Sequence, residues 1–212
     1  MRSRLFPLRV ALAMVAAGCS DFAAPSTPVV PPPLTQTVAT TTSIPMLREA
    51  ATAPRLKTYQ MLFWAKRGTQ TTVGVNHRRA PGQTWGDPFL RFRIPINGLA
   101  AGANGVPLAR GDSVRITLTI DSLSFAVDFQ PSGVVFSTSS PAQLAIWYQD
   151  ANPDLNGDGV VDGTDEMLEQ QLAIWGRGGK TDPWKQLASR NDTTQQYVAS
   201  AIYHFSQYAV SW

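Results

Sequence analysis

The residues best able to do chemistry stand together in one twelve-residue stretch, DLNGDGVVDGTD, at 154–165. Counted from its start, oxygen-bearing side chains fall at positions 1, 3, 5, 9 and 12, which are Asp154, Asn156, Asp158, Asp162 and Asp165. Gly159 takes position 6, where a loop that wraps an ion has to turn sharply. Val160 offers its backbone carbonyl at position 7, and Val161 at position 8 has the apolar character of an inward-pointing anchor. Hard oxygens in this order suit Ca²⁺, with Asp162 reaching the ion directly or through water. Asp165 is one methylene shorter than Glu, so the loop must close tightly to bring both of its oxygens in. Asn-Gly and Asp-Gly pairs also make ordinary turns; five ligand-type side chains in register favour the metal.

Two elements must hold this loop. Residues 143–148, QLAIWY, read as a strand before it, and 165–175 read as a helix after it. In that helix Leu168, Leu172 and Trp175 form one apolar stripe, and Gly176 is a natural stop. Asp165, Glu166 and Glu169 complement the positive end of the helix dipole. Loop and helix together resemble the calcium repeat of dockerins, an EF-hand-like unit, over about 22 residues. Dockerins carry two repeats and this chain carries one, so a cohesin-type partner is not expected.

Further out, the 212 residues divide by composition. Arg2, Arg4 and Arg9 precede a short apolar run, residues 10–17, in the pattern of an export signal too short to span a bilayer. The run ends at Ala16-Ala-Gly-Cys19-Ser20 and resembles the lipobox of bacterial lipoproteins. That resemblance implies removal of residues 1–18, lipidation of Cys19 as the membrane anchor, and an outer-membrane or cell-surface location. Cys19 is the one cysteine, so no disulfide is expected. Without Arg2, Arg4 and Arg9 the 18 basic residues become 15 against 15 acidic ones. Bulk charge therefore gives no reason to expect nucleic acid. Residues 19–50, rich in Pro and Thr, read as a disordered tether.

Residues 51–212 read as one mainly β domain. Leu90, Phe92 and Ile94 alternate with Arg91 and Arg93; Ile116, Leu118 and Ile120 alternate with Thr117 and Thr119; Phe125, Val127 and Phe129 alternate with Ala126 and Asp128. Period-two alternation marks strands with one buried and one wet face. Further strands are expected at 59–64, 71–77, 142–148, 185–190, 196–203 and 206–212, which argues for an antiparallel β-sandwich. The calcium loop and helix, at 150–178, would then be an insertion before a C-terminal hairpin. FQPSGVVF, residues 129–136, with PAQLAI at 141–146, and AIYHFSQYAV at 201–210 resemble the ZU-five sandwich. This second resemblance implies a binding or scaffolding module without chemistry of its own.

Little else suggests catalysis. His77 and His204 are the only histidines, and no Gly-x-Ser-x-Gly elbow or His-Glu zinc pattern occurs. Of the acids outside the loop, Asp87, Asp121 and Asp128 are the candidates for a glycosidase pair, and strand alternation puts Asp121 and Asp128 on wet faces. Six tryptophans raise a sugar-binding alternative, with Trp85, in a Gly- and Pro-flanked turn, the candidate ligand contact. The expectation is therefore a non-enzymatic, calcium-binding surface lipoprotein with an unidentified protein or glycan ligand. A carbohydrate-binding module is the alternative, and an exported hydrolase stands third.

Overall fold

The computed structural model describes residues 39–78, 81, 82 and 86–212, all within one compact unit, 36–212. Fourteen strands occur among them: β1 (Thr40–Thr41), β2 (Gln60–Lys66), β3 (Thr71–Asn76), β4 (Pro88–Ile94), β5 (Leu99–Ala101), β6 (Ser113–Asp121), β7 (Ala126–Gln130), β8 (Val135–Phe136), β9 (Ala142–Trp147), β10 (Ala173–Arg177), β11 (Trp184–Gln186), β12 (Ser189–Asp192), β13 (Tyr197–Ile202) and β14 (Gln207–Ser211). One α-helix, α1 (Gly163–Gln170), separates β9 from β10. The strands form a seven-stranded sheet in the order β1-β11-β10-β14-β7-β6-β2, a five-stranded sheet in the order β12-β13-β9-β4-β3, and a small β5-β8 ladder. All pairings are antiparallel. No helix among the described residues is long and apolar enough to cross a membrane.

The alternating residues meet between the two large sheets. Ile116, Leu118 and Ile120 of β6 and Val127 and Phe129 of β7 share one core with Leu90, Phe92 and Ile94 of β4 and Leu144 and Ile146 of β9. An aromatic cluster lies in it: the Phe129 and Phe205 rings stack with centroids 4.8 Å apart, and Phe92 lies 4.8 Å from Phe129. The antiparallel β-sandwich expected from period-two alternation is the observed fold. Side chains on one face of each sheet left water together, and burial of that apolar area drives the association.

Three expectations need correction. The helix ends at Gln170, and residues 173–177 form β10 rather than continuing the helix to Trp175. Leu172, Ala173, Ile174 and Trp175 are buried on both sides, so the strand reads as an unbroken apolar run that periodicity cannot tell from a helix. The Glu169 carbonyl is capped by the Asn191 amide at 2.5 Å, and the chain turns into the core at Leu172. Second, the last two strands are not a hairpin. β13 joins β9 in one sheet, while β14 inserts between β10 and β7 in the other.

Third, the fold starts before residue 51. Thr40 and Thr41 pair with Lys185 and Trp184, Met46 bridges Ser211, and Leu47 donates its N–H to the Val210 carbonyl at 3.0 Å. Ile44 packs with Ala173, Trp175, Trp184 and Ala209 in a second apolar cluster on the outer face of the seven-stranded sheet. The segment that composition marks as tether thus lids one end of that face.

Candidate functional site

The 154–165 loop crosses from the end of β9, in one sheet, to α1 and then β10, in the other. Its approach is pinned by the N-terminal segment: Ala50 N–H donates to the Asp150 carbonyl at 2.9 Å, and Asn152 N–H to the Arg48 carbonyl at 2.8 Å. The helix is tied back through Asn191, which accepts from the Tyr148 hydroxyl at 3.1 Å while its amide holds Glu169. Burial, reinforced by the Glu169 carboxylate, pushes the Tyr148 hydroxyl above its ordinary range.

Within the loop every acidic side chain at a ligand position folds back on the backbone. Asp154 accepts from the N–H groups of Gly157 at 2.7 Å, Asp158 at 3.1 Å and Gly159 at 2.9 Å. Gly159 has φ +88, the left-handed turn that position 6 requires. The Asn156 side-chain oxygen Oδ1 accepts from Asp158 N–H, and the Asp158 carboxylate from Val160 N–H, each at 2.9 Å. Asp162 caps the helix by accepting from Thr164 N–H at 2.7 Å.

Asp165 closes the ring. One carboxylate oxygen accepts from Leu155 N–H at 2.7 Å and Asn156 N–H at 3.3 Å, the other from Asp162 N–H at 2.9 Å. Its side chain is therefore a clasp between the two ends of the loop, buried while its neighbours are exposed. The Asp162 N–H above all, with those of Asn156 and Leu155, holds this carboxyl below the usual carboxylate range despite the opposing effect of burial.

The donor set is one of hard oxygens alone, which suits Ca²⁺ or Mg²⁺ and not a thiophilic metal. A carboxylate has about four lone-pair sites, so the three bonds to Asp154 and the three to Asp165 leave each with accepting capacity. Among the described residues no three His, Cys, Asp or Glu side chains converge on one point. The residues fit a cation in kind and in order along the chain, with the loop backbone holding their oxygens. Val161, expected as an inward anchor, is 62% exposed beside exposed Val160. Leu155, at position 2, is the loop residue packed on the core.

Beside the loop lies a cavity of about 660 Å³ whose wall includes Met46, Arg48, Asn152, Asp154, Asn156 and Trp212. The other candidates are scattered. His77 is buried, with Nδ1 2.8 Å from the Pro54 carbonyl and Nε2 3.1 Å from the Asp150 carboxylate. Its partners make it a brace between β3 and the start of the loop. His204 and Asp121 are exposed, Asp128 is half-buried, and they lie on different strands or turns. Cys19 and Trp85 lie outside the described residues.

Among the described tryptophans, Trp64 is the exposed one, at 61%, and sequence reasoning did not single it out. The run MLFWA hides the alternation, because both faces of that strand carry large apolar groups. Trp64 lies on the outer face of that strand, opposite exposed Arg115 of β6, and this leaves it in water. The chain matches no protein-family model, no curated protein and no solved structure.

Proposed function

We propose that this protein is a non-enzymatic, calcium-binding module of the bacterial cell surface, anchored through Cys19 and acting in binding or scaffolding. The observation that carries the calcium reading is the 154–165 loop, whose ligand-type oxygens recur at the required spacing and are held by its own N–H groups. Asp154, Asn156, Asp158 and Asp165 would hold the ion with the Val160 carbonyl, and Asp162 would complete the set directly or through water. Bound Ca²⁺ supplies charge neutralisation where four carboxylates share one loop; the chain's own residues do the rest. Asp165 clasps the loop ends, Leu155 seats the loop on the core, and the Asn191 amide holds the helix end. The lipobox-like Cys19 and the ZU-five-like segments support the surface and scaffolding parts of the reading.

The test is thermal melting in millimolar Ca²⁺ and in EGTA. At a hundredfold excess over the dissociation constant, binding adds about 2.7 kcal/mol, so the wild type should melt several degrees higher with calcium. Asp154→Ala should abolish the difference. Equal melting temperatures and no calorimetric heat on calcium addition would sink the metal reading. The anchor is tested separately: Cys19→Ala should move the protein out of salt-washed membranes. A carbohydrate ligand is the second reading, favoured by the cavity in which Trp212 stands near Arg48, Asn152 and the loop. Binding on a glycan array, lost on Trp212→Ala, would establish it.

A further inference from the structure

The two large sheets have four edges, and three are protected. β1 is two residues long. β12, Ser189–Asp192, is four polar residues. β3 ends in a register shift at Val75/Asn76, and Lys57 N–H occupies the Asn76 carbonyl at 2.9 Å. Short, polar, bulged or covered edges are the usual means of preventing strand addition. The fourth edge, β2, is neither short nor bulged, and its middle is uncovered among the described residues. It runs seven residues in unbroken register with β6, from Gln60↔Thr119 to Lys66↔Ser113.

The backbone bonds show which groups of β2 face outward. The Tyr59 carbonyl accepts from Ile120 N–H, and Arg67 N–H donates to the Asp112 carbonyl. Odd-numbered residues therefore turn their peptide groups toward β6, and Gln60, Leu62, Trp64 and Lys66 turn theirs away. Gln60 is capped by Thr58, whose hydroxyl donates to its carbonyl at 2.5 Å and accepts its N–H at 3.3 Å. The Lys66 carbonyl accepts Thr69 N–H at 3.1 Å. Leu62 and Trp64 have both peptide groups open among the described residues, and their side chains are 48% and 61% exposed. On the core side of the strand, Met61 and Phe63 remain half-buried.

We propose that β2 is a self-association edge that pairs antiparallel with the β2 strand of a second copy, about a two-fold axis at Phe63. This register sets Leu62 of each copy opposite Trp64 of the other. The uncapped residues then exchange backbone bonds with one another, and the capped ones are not called on. Opposite residues share a face, so each Leu62 covers a Trp64 ring on the outer face while the two Phe63 rings meet on the core face. Lys66, the one charged side chain of the strand, falls opposite Gln60, so no like charges meet. A second copy thus meets the needs of this edge residue by residue. One strand pair is small beside the roughly 1,200–2,000 Å² of a stable interface, so the association is weak, micromolar or poorer.

Sedimentation velocity over a concentration series tests this, using the full chain with Cys19→Ala so that acyl chains play no part. The mass should rise toward twofold with concentration, while amide exchange at Leu62 and Trp64 slows. The variant L62K/W64K sets lysine opposite lysine in this register and should remain monomeric with an unchanged melting temperature. The variant L62E/W64K sets Glu opposite Lys on both sides of the axis and should dimerise. A wild type that stays monomeric up to about 1 mM, a range that reaches down to −4.1 kcal/mol of association, overturns the proposal. So does a dimer indifferent to L62K/W64K, or a charge-swapped variant that fails to pair.

Discussion

Asp165 does two things through one carboxylate: it clasps Leu155 and Asn156 from one end of the loop and Asp162 from the other. Asp165→Ala should therefore lower the melting temperature in EGTA as well as in calcium, since three N–H groups lose their acceptor. In EGTA, Asp162→Ala should leave the Asp165 clasp in place and cost only the helix cap, about 1 kcal/mol by urea denaturation. Tyr208 gives a second residue-scale prediction. Burial pushes its hydroxyl up to about 12 from 10.0, and the hydroxyl donates to the His204 carbonyl. A raised folded value means that the stability it carries is full below pH 10 and is lost as pH climbs through 12. That gap corresponds to roughly 3 kcal/mol. Tyr208→Phe should lose about 1 kcal/mol at neutral pH with the hydrogen bond. It should also fall less steeply than wild type when unfolding is followed from pH 9 to 12.

At the scale of elements, the informative strand is β10. Gly176 lies opposite Tyr208 of β14, and a Cβ there would come within 2.9 Å of the Tyr208 ring. The glycine is a seat for the aromatic ring rather than the stop of a helix. Gly176→Ala should displace the ring and cost about 1–3 kcal/mol by urea titration, with calcium binding by calorimetry unchanged. Sequence alone reads residues 172–175 as the end of a helical stripe, and the structure puts 173–175 in a strand buried on both faces. The choice fell to partners distant in the chain, Ser211 to Gln207 on one side and Gln186 and Lys185 on the other.

For the whole molecule, the segment before residue 51 is structural. Leu47 and Ile44 are buried, and Leu47 N–H is bonded to β14. A chain starting at 51 should lose roughly 3–6 kcal/mol relative to one starting at 39, because burial of each side chain is worth about 1.5–3 kcal/mol. It should also expose Trp175 and Trp184, now covered in the second cluster, so their fluorescence should shift to the red. An equal melting temperature for the two chains would count against a structural role for the segment.

By itself the sequence determined the sandwich and the order of oxygens in the loop. Both are local patterns: period-two alternation reports one wet face and one dry, and a ligand spacing is a property of twelve consecutive residues. Tertiary structure decided what depends on neighbours far along the chain. It turned residues 173–177 into a strand by burying both of their faces, and drew residues 40–47 out of a Pro- and Thr-rich stretch by giving Ile44 and Leu47 apolar surfaces to cover. It set Val161 in water and Leu155 on the core, although both are aliphatic residues of one loop. It also left the outer face of β2 uncovered, which makes Leu62 and Trp64 a surface rather than part of a core, and set their peptide groups at a sheet edge.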